Sequence, residues 1–307
     1  MRTIRDHLVD AAQRLSQAGI DSANIESAEL LAHVLGLPRN RLFMQDTIDD
    51  EDRLAFEGLL AKRLNRIPLQ HITGSVAFRH VELGVGPGVF IPRPESELVA
   101  EAAIRFMRER DAPIAVDLCA GSGAIALSLA IEVPGARVTG VEISSEAFLW
   151  LEKNVAKYGS EATIEIHQLD ATDFTSAVFL TLAGVCDVVT CNPPYIPVDM
   201  IPRDPEVRVH EPSIALYGGV DGLDVIRGIA KTAAVLLKSG GLLVVEHADV
   251  QGPEAHEASV VRVLESTVLD SDLESYTTGI PGQPLFMQVS DRQDFNQRPR
   301  FTLAIRV

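Results

Sequence analysis

From residue 114 to the end of the chain, short apolar runs alternate with longer stretches of helical periodicity, and few folds accommodate that order. Strands are expected at residues 114–118, 137–142, 164–168, 187–191, 242–247, 285–289 and 300–305, with helices at 124–132, 145–157, 222–237 and 252–264. Strand and helix in regular succession mean parallel strands with crossover helices on both faces, an α/β doubly wound sheet of seven strands. Only a loop-like stretch separates the last two strands, so these should pair antiparallel.

The first part of the chain has a different period. Ile4, Leu8, Ala11, Ala12 and Leu15 mark one helical stripe, Leu30, Leu31, Val34 and Leu35 a second, and Leu54, Leu59, Leu60 and Leu64 a third. Asp49 suits an N-cap for the third, and Gly36 with Pro38 ends the second. Residues 1–73 are therefore expected to form a helical bundle, serving either as a packing module or as a docking domain for a substrate. Residues 74–95, rich in glycine, proline and β-branched side chains, read as a hairpin linker with strands near 76–78 and 81–85. Residues 96–307 make the sheet domain, entered through a helix over 96–110. Arg93 stands between Pro92 and Pro94 at that entrance, a rigid setting from which a guanidinium can bind substrate or pair with Glu95 or Glu97.

Charge and composition narrow the partners. The net charge of −16 opposes long-range attraction to nucleic-acid phosphates, and no Lys/Arg-rich insert offsets it. No run approaches the ~18 apolar residues of a membrane span, and residues 1–15 mix charged with apolar side chains, so a cytoplasmic protein is expected. Cys119, Cys186 and Cys191 lie in or beside apolar strands without metal-ligand spacing, which suits reduced thiols in a core and no metal site.

Doubly wound sheets bind ligands beyond the carboxyl ends of their strands, and four such ends carry distinctive residues. The first strand runs into Cys119, Ala120, Gly121, Ser122 and Gly123, a turn that opens a helix and lets the backbone approach a cofactor. The second ends at Glu142, where a carboxylate can accept from two ribose hydroxyls, and the third at Asp170, placed to reach an adenine amino group or to cap a turn. Gly121, Gly123 and Ala126 followed by Glu142 also satisfy the dinucleotide fingerprint, so these three ends alone leave an NAD enzyme open.

The fourth end carries Asn192, Pro193, Pro194 and Tyr195. Asn-Pro and Pro-Pro are also ordinary turn punctuation. Here, however, two prolines remove two N–H donors, Asn192 adds a side-chain carbonyl, and Tyr195 adds an aromatic face. A planar NH2 group, of a carboxamide or an adenine, can donate both hydrogens to such acceptors while lying on the ring. Hydride transfer needs an acid or base instead. A neutral slot suits an NH2 nucleophile facing a methyl sulfonium.

Residues 90–97, 117–126, Asn192 to Tyr195, Glu211 with Pro212, 219–223 and 246–252, together with 66–74 in the helical part, resemble the protein-(glutamine-N5) methyltransferases of peptide chain release factors. The tetrapeptide is shared with adenine-N6 DNA methylases, whereas the helical part and residues 90–97 are more specific. The resemblance implies a seven-stranded methyltransferase sheet with S-adenosylmethionine as donor and the glutamine of the release factors' Gly-Gly-Gln motif as acceptor. It places the cofactor at Cys119 to Gly123, Glu142, Asp170, Ala171 and Asn192, and the substrate at Asn192 to Tyr195. A ribosomal-protein glutamine, or an adenine N6, are the alternative acceptors. Two departures stand out: Cys119 replaces a glycine common in the family, so the turn should form without a positive φ there, and residues 265–294 are longer than usual, as a surface insertion would be.

Overall fold

A computed structural model describes residues 3–159 and 162–307, so the first two residues of the expected 1–73 domain lie outside the described part. The chain forms two compact units. One comprises the residues up to Ser75 together with Pro202–His210, and the other comprises Val76–Ile201 with Glu211–Val307. The hairpin thus falls in the second unit, and a segment distant in sequence, Pro202–His210, falls in the first.

In the first unit, helices Ile4–Gln17, Ala23–Val34 and Asp50–Leu64 enclose a core of Ile4, Ala11, Leu15, Leu30, Leu31, Phe56 and Leu60. Asp49 caps the third helix, its carboxylate accepting from the Asp52 N–H at 2.8 Å. Leu54 does not join the core: it is 63% exposed, and Phe56 takes the inward position. Helix Pro205–His210 is held by ion pairs, with Glu206 meeting both Arg63 and Arg66 at 2.7 Å. Arg63, 5% exposed, also pairs with Glu26.

The second unit begins with a hairpin, β1 (Ser75–Phe78, its first residue from the other unit) and β2 (Val81–Gly84). Its sheet contains β3 (Ile114–Leu118), β4 (Arg137–Glu142), β5 (Ile164–Gln168), β6 (Cys186–Cys191), β7 (Leu237–Glu246), β8 (Phe286–Gln293) and β9 (Pro299–Arg306) in the order β5-β4-β3-β6-β7-β9-β8. The strands from β5 to β7 pair in parallel, while β9 pairs antiparallel with both β7 and β8. Alternate residues of the central strands feed two cores. Val116, Leu118, Val189, Cys191, Leu243 and Val245 face helix Asp224–Leu236, and Ala115, Val188, Leu242 and Val244 face helices Ser96–Met107 and Ala124–Glu132.

Two expectations about the C-terminal part change. The helix expected over 252–264 is broken into short 3-10 turns and a six-residue helix, Val260–Glu265, because His256 takes a φ of 50°. Residues 265–294 are an insertion only at their tip. Ile280 is 71% exposed, but Leu269 and Leu273 are buried, and the buried Arg306 guanidinium donates to Thr277 Oγ1 at 2.9 Å. Among the described residues no helix is long and apolar enough to cross a membrane.

Candidate active site

Successive strands leave β3 in opposite directions, β4 on one side and β6 on the other, so the switch point lies between β3 and β6. Leu118 pairs with Cys191 across this gap. The glycine-bearing loop starting at Cys119 and the tetrapeptide starting at Asn192 therefore leave the sheet side by side.

Cys119 has a φ of 60°, so the expectation of a turn without positive φ is wrong. The loop keeps its left-handed residue and tolerates a side chain there, at about 1–2 kcal/mol. The Gly123 backbone has a φ of 88° and opens helix Ala124–Glu132, and a Cβ there would meet Leu151 Cδ1 at 2.8 Å. Ser122 contributes backbone only, since its side chain is buried at 2% exposure. Gly121, by contrast, faces open space, with nothing within 4 Å of where a Cβ would stand.

Glu142 ends β4 at 8% exposure and accepts N–H bonds at 2.8 Å from Gly121 and from Ser144. Burial raises its pKa and these backbone donors lower it, with the net shift upward. A carboxylate offers about four lone-pair sites, more than these backbone donors fill, so acceptor capacity remains for a sugar hydroxyl. Asp170 is exposed. One of its oxygens caps a turn, accepting from Thr172 N at 2.8 Å and Thr172 Oγ1 at 2.7 Å. The carbonyl of buried Ala171 accepts from Thr232 Oγ1 at 2.8 Å, which ties this corner to helix Asp224–Leu236. An open glycine backbone, a carboxylate with spare acceptor sites and an exposed carboxylate at three adjacent strand ends fit a nucleoside with a charged tail.

Beneath the loop, Asp117 lies opposite Thr190 in the register, accepting from Thr190 Oγ1 at 2.7 Å and from Ala126 N at 3.1 Å. Burial pushes its pKa up to about 7 against these two bonds, and the nearby Glu142 charge adds to the rise. Nothing in the chain's periodicity singles out this pair.

In the tetrapeptide, Asn192 Nδ2 donates to Ser96 Oγ at 3.0 Å. Among the described residues nothing donates to Asn192 Oδ1 or to the Pro193 carbonyl, which leaves two acceptors at the end of β6. Tyr195 turns its hydroxyl inward to Glu246 at 3.3 Å. Burial and the Glu246 charge raise its pKa, so the phenol stays neutral.

Gln251, missed by the sequence reading, braces the tetrapeptide from behind. Its Nε2 donates to the Tyr195 carbonyl at 2.9 Å and to the Asp221 carbonyl at 3.1 Å, and its Oε1 accepts from Ala248 N at 3.0 Å. Gly222, with a φ of 77°, packs on the same carbonyl so closely that a Cβ would stand 2.2 Å from it. Arg93 is engaged by Glu211 rather than by Glu95 or Glu97, and its guanidinium lies 4.9 Å from the centre of the Phe90 ring. Its role as a direct substrate ligand therefore has to share the guanidinium with this partner.

Known proteins resemble the chain along its length. The family described as the PrmC N-terminal domain matches residues 6–74, and the one described as conserved hypothetical protein 95 matches residues 71–207. A release factor glutamine methyltransferase of Mycolicibacterium smegmatis is 41% identical, with 100% of this chain and 99% of the relative covered. One of Streptomyces coelicolor is 46% identical over 82% of this chain and 87% of its own. A Streptomyces pristinaespiralis relative, named 4-amino-L-phenylalanine/4-methylamino-L-phenylalanine methyltransferase, is 37% identical over 81% of this chain and 84% of its own. With the seven-stranded topology and both loops in place, the chain belongs to the release factor glutamine methyltransferases.

Proposed function

We propose that the chain transfers a methyl group from S-adenosylmethionine to the side-chain amide nitrogen, N5, of the glutamine in the Gly-Gly-Gln motif of peptide chain release factors. The observation that carries this reading is the pair of acceptors, Asn192 Oδ1 and the Pro193 carbonyl, to which no described residue donates. When bound, S-adenosylmethionine supplies an electrophilic methyl on a sulfonium. The backbone of Cys119 to Gly123, the carboxylates of Glu142 and Asp170, Ala171 and Asn192 would hold it.

A carboxamide nitrogen is a poor nucleophile because its lone pair is delocalised, and full rotation out of conjugation costs ~18–20 kcal/mol. Twisting it that far is out of reach of a binding site. Asn192 Oδ1 and the Pro193 carbonyl instead accept its two hydrogens and stabilise the positive charge that grows on nitrogen, as oxyanion donors do for negative charge. The Tyr195 ring, pinned through its hydroxyl to Glu246, holds the amide flat and faces the cationic donor with its π surface. No strong base is needed beforehand, since the methylated amide nitrogen sheds its proton readily.

Among substrates that present a planar NH2, a protein glutamine suits this chain better than a nucleic-acid base, because the net charge of −16 opposes phosphate. A substrate of the translation machinery also puts the enzyme in the cytoplasm. The direct test offers labelled S-adenosylmethionine with purified release factor, ribosomal protein and nucleic acid. Label should enter the release factor, and Asn192→Ala should lower the rate by ~10²–10³ with cofactor binding largely kept. Label in another substrate class, or near-normal rates for Asn192→Ala, would overturn the reading.

A further inference from the structure

Proline fixes φ but leaves ψ free, and ψ decides where a carbonyl points. Pro193 and Pro194 also lack the N–H groups through which a turn would settle that angle by itself. The direction of the Pro193 carbonyl is therefore set by what grips the tetrapeptide at its two ends.

The first end is the sheet, where Cys191 pairs with Val245 of β7. The second is a single peptide plane held from both sides. Its carbonyl, that of Tyr195, accepts from Gln251 Nε2 at 2.9 Å, and its N–H, that of Ile196, donates to the Leu216 carbonyl at 2.8 Å. Gln251 is 1% exposed and stands on the 3-10 turn Asp249–Gln251 that follows β7. The Tyr195 hydroxyl meets Glu246, the last residue of β7, so one short stretch of chain grips this tyrosine by its backbone and by its ring.

The orientation of the Gln251 amide is unambiguous. Its Oε1 accepts from Ala248 N at 3.0 Å, while Nε2 donates to the Tyr195 carbonyl and, at 3.1 Å, to the Asp221 carbonyl. All three partners are backbone groups whose roles cannot reverse, so a flipped amide would set oxygen against oxygen and N–H against N–H. Close glycine contacts complete the grip. A Cβ on Gly218 would stand 2.4 Å from the Pro194 carbonyl oxygen, and one on Gly222 would stand 2.6 Å from Gln251 Nε2.

We infer that Gln251 is a positioning residue for methyl transfer: by fixing the peptide plane between Tyr195 and Ile196, it aims the Pro193 carbonyl and the Tyr195 ring at the planar NH2 group. The inference rests on the proposed reading of Asn192 Oδ1 and the Pro193 carbonyl as acceptors. Gln251 itself touches no reacting atom.

The test is methylation of a release factor by the full chain. Gln251→Met, unbranched and of similar length, removes both donated bonds while filling the space. Its kcat, counted per S-adenosylmethionine site titrated by calorimetry, should fall about 10- to 100-fold, as a displacement of about 1 Å at a reacting group does. Affinity and KM for S-adenosylmethionine should stay close to the parent values, a split that a general loosening of the fold would not give. Gln251→Asn, one methylene too short to reach all three backbone groups, should show the same loss, and it carries the test if Gln251→Met does not fold. Normal kcat in either variant, or a loss of cofactor affinity in proportion to the loss of rate, overturns the positioning role. Asn192→Ala is measured alongside. If its rate is near normal, the acceptor reading fails and this inference falls with it; if it is slow while Gln251→Met is normal, only the positioning role fails.

Discussion

The Asn154 Nδ2 donates to the Ser122 carbonyl at 2.8 Å and to the Gly84 carbonyl at 3.0 Å, while its Oδ1 accepts from Gly84 N at 2.7 Å. One side chain on helix Ser145–Tyr158 therefore ties the hairpin to the loop of residues 119–123, the proposed cofactor loop. At 2% exposure it has no water to replace it. Asn154→Ala leaves one buried and two part-buried backbone groups short of a partner, the buried one worth about 1–3 kcal/mol. Thermal unfolding should begin several degrees lower, and calorimetry should show roughly tenfold weaker S-adenosylmethionine binding. Unchanged affinity would mean that the loop holds its shape alone.

Cys119 sits at a φ of 60°, where a side chain costs about 1–2 kcal/mol and glycine costs nothing sterically. Glycine gives back part of that gain in unfolded-chain entropy, about 0.5–1 kcal/mol. Cys119→Gly should accordingly be neutral to slightly stabilising and keep cofactor affinity. Cys119→Val, β-branched in the left-handed region, should lose both stability and affinity. Urea unfolding of the two variants checks the order, and equal stabilities would show that the loop relaxes to a negative φ.

The contrast between these two residues explains what the sequence revealed. Strands β3, β4 and β5 have the bounds expected from the sequence, since apolar or alternating residues there are closed off by polar or glycine residues. Glu142, Asp170 and Asn192 could be located because they stand at the ends of such runs. Asn154, Ser96 and Gln251 act through hydrogen bonds to chain 30 to 96 residues away, and no local pattern encodes those. The same holds for Pro205–His210, which joins the first unit through Arg63 and Arg66 rather than through a hydrophobic period. Periodicity also misplaced Leu54, whose spacing matches the stripe that Phe56 actually serves.

We propose that the first unit docks the body of the release factor. Its adjacent Phe43 and Met44 are 84% and 81% exposed, an apolar pair that follows the buried Leu42 and turns outward from the core. Replacing both with serine should leave the fold intact, because neither side chain is in the core. KM for the intact factor should rise while KM for a short Gly-Gly-Gln peptide stays put. An equal rise for both would trace the effect to the active site instead.

Asp117 gives the protein a pH-dependent stability of predictable sign. Its carboxyl has an ordinary value of 3.8 and is pushed up to about 7 by burial, against the bonds from Thr190 and Ala126 and with the Glu142 charge adding to the rise. Because the folded value lies above the unfolded one, the folded state binds more protons in between. The group's contribution is complete below about pH 4 and is lost as pH rises through about 7, so it lowers stability by a few kcal/mol across that window. Glu142 and Glu246, also raised by burial, slope the same way. Asp117→Asn removes only its own share. Urea midpoints measured from pH 5 to pH 8 should therefore fall more steeply for the parent chain than for the variant, even where the variant is less stable outright. Parallel slopes would mean that Asp117 stays ionised in the core, with Thr190 and Ala126 sufficient to hold the charge.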